Sequence, residues 1–530
     1  MKTFYKKIFL LFILSAIFSI PACAPKSGQT AIPTETVSSA TIGELTDFVY
    51  PSSIAVEGYC LVGGLPGTGS SQCPPDIRRY LEQYILRQLP GQKNISAIID
   101  SPNTAAVYLY GIIPPIASKN QRFDIKVTAL PGTQTTSIEN GILWRAELNA
   151  RGRFGIGAKI LATASGPVFI DTLSSSPVDK KTGYILAGGR VLNDYQINMT
   201  VKHPSFSITN RIRNRINERF GSNIAHALMA GQIAINVPTK YKGQEQKFIE
   251  LVKSTTLIEN PQTITDRVNK FVNELASSTN KESAEIALES IGKPSAEKLA
   301  ALVNSPDQEI VLRASRCLLN IGDDRGLAPL RNIVLDKKSA FRIDALKAIT
   351  YGASRNDASA IAVRMLRDED FNIRLAAYEQ LHAIDDITIN KSFIGRSFFL
   401  EQITQSKFKD IYITRTGEPR IVLFGAPLYL QPGSFIQSDD SSIIINAPLD
   451  SDTVTIIRKL PDIPPITLLS SYNLTDIIQT LCEEAFAQED SPIRPGLNVS
   501  YSEMIAVVKK ICQNGAVLAD FHAGPLPNID

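Results

Sequence analysis

The spacing of hydrophobic positions changes twice along the chain and divides it into three parts. In the first part, residues 44–262, apolar residues occupy every second position from Phe123 to Ala129, in "RFDIKVTAL", which predicts a half-buried strand. Farther on, "ITNRIRNRINERF" places apolar residues four positions apart from Ile208 to Phe220, which predicts an apolar stripe along a helix. Because strand and helix patterns are mixed here, the first part is predicted to be an α+β block.

Residues 280–386 follow a different pattern, in which an arginine, small residues and leucine-like residues recur. The stretches "VLRASRCLLNIGDD", "FRIDALKAITYGAS" and "NIRLAAYEQLHAIDD" close at Gly322, Gly352 and Asp385, which are 30 and 33 residues apart. Short helical patterns lie between them, so each unit is predicted to be a helix pair that buries its apolar face against the next pair. This segment resembles HEAT repeats, which implies protein binding along a concave surface. Residues 263–279 are predicted to be a helical connector.

A mixed pattern returns over residues 387–530. The stretch "DIYITRTGEPRIVLFG" predicts a hairpin with its turn at "TGEP", and "SSIIINAPL" predicts a further strand. In "SYSEMIAVVKKICQNG", capping residues Ser500 or Ser502 precede a helical pattern that stops at Gly515. The fold class is therefore predicted to be α+β, with mixed strand and helix domains in two sequence blocks interrupted by an all-α segment.

The amino-terminal end has the pattern of an export signal. Residues 1–22 contain three lysines followed by an apolar run, "IFLLFILSAIFSI". The stretch "IPAC" then places Cys23 directly after this segment. This arrangement resembles the lipobox of bacterial lipoproteins and implies lipidation of Cys23; the alternative is ordinary signal cleavage that leaves a soluble periplasmic protein. Residues 23–43 are rich in Ser, Thr, Pro and Ala and are predicted to be a flexible tether. The predicted location is the periplasm, with an outer-membrane anchor only through the lipid.

The charge balance argues against a polyanionic partner. The chain has 55 Lys and Arg residues against 52 Asp and Glu residues, and the signal contains the three surplus lysines. A protein that binds nucleic acid usually carries a basic surplus. Nucleic acid is therefore not expected as a partner.

Five cysteines follow Cys23, and an oxidising periplasm allows disulfides between them. Two pairings are candidates, Cys60 with Cys73 and Cys482 with Cys512, while Cys317 is left over. Buried, unpaired thiols are the alternative. Zinc is the weaker interpretation, because no C-x-x-C spacing occurs and the four histidines are scattered.

A glycine-rich stretch, "GYCLVGGLPGTGSS" at residues 58–71, raises the question of a phosphate-binding loop. It lacks the lysine of the Walker pattern and does not match G-x-G-x-x-G. Glycine also supplies positive φ and close backbone approach in tight turns. The stretch is therefore predicted to be a structural loop after a strand.

Signatures of catalysis are not found in the sequence. It contains no G-x-S-x-G and no H-E-x-x-H, and "KHPSF" at His203 and "HAGP" at His522 hold isolated histidines. The sequence predicts neither an enzyme nor a cofactor or metal site.

Several stretches, in the same order, resemble the bacterial flagellar P-ring protein family. "VEGYCLVGGLPGTGSS" resembles that family's opening motif, GxGLVxGLxGTG, although Cys60 replaces a glycine. "TAAVYLYGIIPP", "ILAGGRVLNDY" and "ITNRIRNRINERFGSNIAHALMAGQIAINVP" resemble its following segments, and "EMIAVVKKICQNGAVLADF" is similar to its closing helix. The HEAT-like segment interrupts the family pattern, and the lipobox departs from it.

The resemblance implies a structural subunit of a homo-oligomeric ring. Such a ring would be a peptidoglycan-associated bushing around the flagellar rod, beneath the L ring, and the HEAT-like segment would bind a neighbouring envelope protein. The alternative is a lipid-anchored periplasmic adaptor that uses this domain in a non-flagellar complex. For the arginines of the predicted helix, a solvated helix face is the simpler interpretation. The candidate subunit contacts are Gly63, Gly64, Gly67, Thr68, Gly69, Arg211, Arg215 and Arg219.

Overall fold

The computed structural model describes residues 40–50, 52–91, 94–153, 157–174, 177–258, 260–395, 397–460, 463–484 and 496–529. The predicted signal peptide, Cys23 and the tether as far as residue 39 lie outside the described residues. Within those ranges, no helix has both the length and the apolar character needed to cross a bilayer. The predicted α+β class, with an all-helical segment between two mixed blocks, is confirmed.

The first block consists of a closed barrel and a smaller sheet, each with its own helices. Its elements in chain order are α1 (Ile42–Leu45), β1 (Thr46–Val49), β2 (Ile54–Gly63), α2 (Pro75–Gln88), α3 (Ile95–Ile99), β3 (Thr104–Ile113), β4 (Arg122–Ala129), β5 (Ile142–Ala150), β6 (Ile160–Pro167), β7 (Thr182–Val191), β8 (Ile197–Val201), α4 (Phe206–Phe220), β9 (Ala225–Met229), β10 (Gln232–Ile235) and α5 (Glu245–Ser254).

The barrel closes in the order β2-β3-β4-β7-β6-β5, and its neighbouring strands are antiparallel. The alternation predicted for β4 is confirmed: Phe123, Ile125, Val127 and Ala129 are buried, and the residues between them are more exposed. This alternation fills the barrel interior with apolar side chains. Helix α2 adds Leu81 to the same core.

The smaller sheet has the order β1-β8-β10-β9 and is covered by α4 and α5. The predicted stripe of α4 is confirmed, since Ile212 and Ile216 are fully buried in this core. Helix α5 contributes Phe248 to the same core. The sheet therefore has one face packed against helices and one face towards solvent.

The middle of the chain is a stack of helices in two layers. These helices are α6 (Pro261–Ser277), α7 (Lys281–Ile291), α8 (Ala296–Leu302), α9 (Gln308–Ile321), α10 (Leu327–Leu335), α11 (Arg342–Gly352), α12 (Arg355–Met365) and α13 (Phe371–Ala383). Helices α7, α9, α11 and α13 contact one another in succession, and α5 of the first block packs against α7. Each helix of this inner layer also packs against the helix that precedes it in the chain. We call this segment the helical array.

The described residues of the last block form two sheets and two helices around one core. Its elements are β11 (Asn390–Ile394), β12 (Phe398–Ile403), β13 (Asp410–Ile413), β14 (Arg420–Phe424), β15 (Ser434–Gln437), β16 (Ile443–Ala447), β17 (Val454–Leu460), β18 (Ile463–Ser470), α14 (Leu474–Cys482), α15 (Tyr501–Gln513) and β19 (Asp520–Ala523). One sheet has the order β11-β12-β14-β13-β19 and the other β15-β16-β17-β18. The predicted hairpin is the antiparallel pair β13 and β14.

The helical array is attached to other parts of the chain at both ends. At its carboxyl end, α13 lies on the five-stranded sheet, where the Tyr378 hydroxyl donates to Glu401 at 2.5 Å. That block also contacts the barrel, because Asp124 accepts hydrogen bonds from Thr416 Oγ1 at 2.6 Å and Gly417 N at 2.9 Å. The array is therefore packed against the neighbouring blocks and does not project away from them.

The predicted disulfides are not formed in the structure: all five cysteines after Cys23 are free thiols. Cys60 points across to β5, where its Sγ lies 3.6 Å from the Trp144 carbonyl oxygen, and burial raises the pKa of its thiol to about 12. It is not bonded to Cys73. Cys482 is buried at the end of α14, whereas Cys512 is partly exposed, and no bond joins them.

Candidate functional site

The glycine-rich loop after β2 has the structural role that the sequence predicted. Gly64 and Gly67 have φ of +77° and +74°, and a Cβ at either would meet open space. Gly63 and Gly69 are closely packed instead: a Cβ on Gly63 would lie 2.7 Å from Trp144 Nε1, and one on Gly69 would lie 2.1 Å from the Thr104 carbonyl oxygen. Two glycines thus provide the turn and two provide close approach.

The backbone of this loop is hydrogen-bonded within the chain. Gly69 N donates to the Pro102 carbonyl at 2.8 Å, and Gly67 N donates to Asn103 Oδ1 at 3.2 Å. Thr68 Oγ1 donates to the Ser137 carbonyl at 2.9 Å. These bonds fix the loop to the barrel and leave its amides unsuited to cradling an anion.

The arginine row on α4 divides into one exposed residue and two that bind neighbouring backbone. Arg211 is exposed. Arg215 Nε donates to the Thr256 carbonyl at 3.1 Å. Arg219 donates from Nη2 to the Glu289 carbonyl at 2.6 Å and from Nε to the Ser290 carbonyl at 3.2 Å, which are in the last turn of α7. A cation at a helix carboxyl end is stabilised by the helix dipole, so Arg219 fastens the first block to the helical array.

A groove of about 390 Å³ runs across the inner layer of helices. Four successive helices, α5, α7, α9 and α11, each contribute side chains to it. The residues that line it are Gln244, Gln246, Lys247, Glu250, Glu282, Glu285, Ile286, Arg316, Asn320, Asp344, Lys347, Ala348 and Tyr351. We call it the array groove.

The floor of the array groove is a hydrogen-bonded network of charges. Glu285 is 2% exposed and accepts from Arg316 Nε and Nη2 at 2.6 Å each, and from Arg313 Nη1 at 3.0 Å. Beside it, Glu289 Oε2 accepts from Lys247 Nζ at 2.9 Å and from Asn320 Nδ2 at 3.0 Å. Side chains held by several charge-assisted bonds have little freedom, so this floor is a rigid surface.

The rim of the array groove differs from its floor. Glu282, Asp344 and Lys347 are exposed and form no ion pair with the other described residues. Tyr351 is 47% exposed at the same rim. Exposed charges and an exposed tyrosine beside a rigid floor suit the binding of a polypeptide. The described residues contain no group of three or more side chains of the types that bind metals.

Sequence reasoning predicted a concave surface on the repeats but missed one side of the array groove. Helix α5 belongs to the predicted first block, so the sequence did not indicate that its Lys247 would lie beside the repeats. The contact of α5 with α7 depends on tertiary packing, which the repeat pattern does not indicate.

The geometry defines the chain as an α+β protein in which a closed antiparallel barrel and a small sheet precede a stacked-helix array. Comparison with known families then finds a match for the first block. Residues 41–274 match the family model described as flagellar P-ring protein, FlgI. The resemblance predicted from the sequence is confirmed over this segment.

Individual relatives agree with the family match. The chain is 32% identical over 235 residues to flagellar P-ring protein 1 of Hahella chejuensis, which covers 41% of this chain and 58% of that protein. It is 27% and 28% identical over 210 residues to the flagellar P-ring proteins of Fervidobacterium nodosum and Thermotoga maritima, covering 37% of this chain and 60% of each. The matches thus span about three fifths of the length of these relatives.

The family match ends at residue 274. The similarity of the carboxyl-terminal block to the same family therefore stays a prediction. Among solved structures, a crystallised engineered protein overlaps 34% of this chain and 80% of its own, with 15% identity and a TM-score of 0.19, which supports no conclusion about the fold.

Proposed function

We propose that this protein is a structural subunit of the flagellar P ring, a homo-oligomeric ring around the rod in the periplasm. The observation that carries the proposal is the family match over residues 41–274, which covers the barrel and the smaller sheet. The relatives that share this segment are named as flagellar P-ring proteins. The proposal assigns the chain no catalytic reaction, cofactor or metal.

The same proposal gives the ring its neighbours in the cell envelope. The ring associates with peptidoglycan and contacts the rod and the L ring, and a lipid on Cys23 tethers each subunit to the outer membrane. The sequence "IPAC" and the tether after it support this anchor.

The array groove is the proposed binding site for a neighbouring envelope protein. It crosses four helices, and helices pack about 9 Å apart, so its length is about 27 Å. An extended chain advances about 3.3 Å per residue, so the groove accommodates a segment of about eight residues. A segment with residues of both charges would match the exposed charges of Glu282, Asp344 and Lys347.

Purified hook and basal-body particles provide the test of the ring proposal. Quantitative mass spectrometry should find the protein at or above the amount of the rod proteins. If the protein is absent from the particles but abundant in the rest of the envelope, the ring proposal is wrong.

Point variants test the groove better than a deletion does, because removal of an array that is held at both ends would disturb its neighbours. The variant Asp344→Lys with Lys347→Glu reverses two rim charges on α11. Lys298→Glu, on α8 of the outer layer, is the matched control. In-cell cross-linking should show that a partner is lost from the groove variant and retained by the control. Equal cross-linking in both would remove the groove from the proposal.

The adaptor function is the second candidate. It is favoured by the extent of the match, because the helical array beyond residue 274 and the whole carboxyl-terminal block lie outside it. An adaptor would be absent from basal bodies and would still depend on the array groove for its partner.

A further inference from the structure

Within the part of the chain that the structure describes, one face of the four-stranded sheet of the last block is exposed or half-buried at every paired position. Its inner positions, such as Ile436, Ile445 and Ile456, lie in the block's core. The strand registers place eight paired residues on the opposite face: Phe435, Gln437, Ile444, Asn446, Thr455, Ile457, Thr467 and Leu469. We call this the outer sheet face.

The outer sheet face is uncharged at all eight paired positions. Phe435 is 58% exposed and Leu469 is 64% exposed, while Ile444 and Ile457 are half-buried between them. Charges lie just past these positions, at Lys459 within the irregularity of β17 and at Asp439 two residues after Gln437. Four of the eight paired residues are apolar and four are neutral polar, whereas solvated faces of antiparallel sheets are ordinarily polar. Neighbouring exposed apolar side chains favour a contact surface.

A second apolar patch lies on the smaller sheet of the first block. A bulge in β9 sets both Leu228 and Met229 against Gln232 on β10. Such a bulge directs successive side chains to the same side of the sheet, and Leu228 and Met229 are 59% and 57% exposed.

A third exposed apolar residue, Phe206, lies close to the β9–β10 turn. It begins α4 and is 70% exposed. The next turn of the helix is joined to the β9–β10 turn, because Gly231 N donates to Thr209 Oγ1 at 3.0 Å. Phe206, Leu228 and Met229 therefore lie at the same end of the small sheet, and we call them the apolar knob.

A closed ring with a head-to-tail arrangement needs two unlike surfaces on each copy. The glycine-rich loop and two of the α4 arginines are bound within their own chain, as described above. We propose that the apolar knob of one copy packs on the outer sheet face of the next copy. This inference rests on the proposed ring, and it assigns the carboxyl-terminal block, outside the family match, a direct part in assembly.

The lack of charge agrees with this pairing, and the area of the face limits how much of an interface it can form. Four strands spaced about 4.8 Å apart, with about four residues each, give a face of roughly 200 Å². Stable interfaces bury about 800 Å² on each partner, so the proposed contact supplies about a quarter of such an interface and requires further contacts around it. Because both surfaces lack charges, their contact leaves no ion buried without a partner.

Paired cysteines in the full-length chain, expressed in cells of the source organism, test the contact. Met229→Cys together with Leu469→Cys should give a ladder of disulfide-linked oligomers under mild oxidation, since each copy then carries both halves of the contact. Each single variant and the parent chain, with its natural cysteines, should give no ladder. Met229→Cys with Ile387→Cys is the matched control, because Ile387 is apolar and 96% exposed elsewhere on the chain.

The alternative results overturn the contact in different ways. Dimers from Leu469→Cys alone would show that the outer sheet face meets itself, and no ladder from the pair would show that the two surfaces do not meet. A ladder from protein that is absent from basal bodies would support the contact and refute the flagellar ring. Protein that is found in basal bodies but gives no ladder would support the flagellar ring and refute the contact.

Discussion

The attachment of the helical array to the last block includes a buried ion pair, and removing its carboxylate should loosen that attachment. Arg374 Nη2 of α13 lies 2.6 Å from Asp410 Oδ2 of β13, and the two side chains are 4% and 2% exposed. The perturbation is Asp410→Ala, which leaves the guanidinium buried without its carboxylate.

The structure sets the expected magnitude. Breaking a buried pair by removing one partner costs about 3–5 kcal/mol, because an uncompensated charge stays inside. Arg374 Nη1 keeps its bonds to the Asp368 and Glu369 carbonyls at 2.8 and 2.9 Å. The loss should therefore lie near the lower value, about 3 kcal/mol.

Hydrogen exchange measured by mass spectrometry is the suitable assay, because a chain of several blocks does not unfold in one step. Peptides from α13 and β13 should exchange faster in Asp410→Ala, with little change in the barrel. Asp439→Ala is the matched control: its ion pair with Lys510 has the same length, but Asp439 is 95% exposed, so its loss should cost less than about 1 kcal/mol. If both variants change exchange equally, the buried pair does not hold the array.

Three further predictions concern the glycine-rich loop, the contact of Arg219 with α7, and the pH dependence of stability. Gly69→Ala forces a Cβ against the backbone and should lower the melting temperature of the barrel clearly more than Gly67→Ala, which costs about 1 kcal/mol for positive φ; equal shifts would contradict the close packing. Arg219→Ala should speed hydrogen exchange at the end of α7, whereas Arg211→Ala, at an exposed position, should not. Burial and nearby positive charge lower the pKa of His382 to about 4, so the unfolded chain takes up more protons between pH 6.5 and 4, and stability should fall as pH drops through that window. His382→Gln should reduce this loss in acid denaturation, and an unchanged pH profile would refute the assignment.

Local periodicity explains which parts of the fold the sequence predicted. The alternation in β4 and the four-residue spacing in α4 each describe one element with one buried face, and burial decides the element. The helix pairs repeat because each must cover the next. The order of glycines between Gly63 and Gly69 likewise indicated a tight loop, since both positive φ and close packing select glycine.

Contacts between distant parts of the chain explain what the sequence could not reveal. Arg219 appears in the sequence as one member of a charged stripe, and its partners lie about seventy residues away on α7. The apolar knob depends on a bulge that sets two residues of β9 against one of β10. Neither barrel closure nor the share of α5 in the array groove leaves a periodic signal, because each is fixed by which elements meet.

The connections of the array determine how a bound partner would be held. The chain enters the array beside α5, where Arg219 and Lys247 bind α7, and leaves it through α13, which is anchored on the five-stranded sheet. That block returns to the barrel, where Ile170 N donates to Ser502 Oγ at 3.0 Å. The path from barrel to array and back is thus closed by packed contacts rather than by linkers. A partner in the array groove would therefore be held at a fixed position relative to the barrel, which suits attachment of a second structure to the proposed ring.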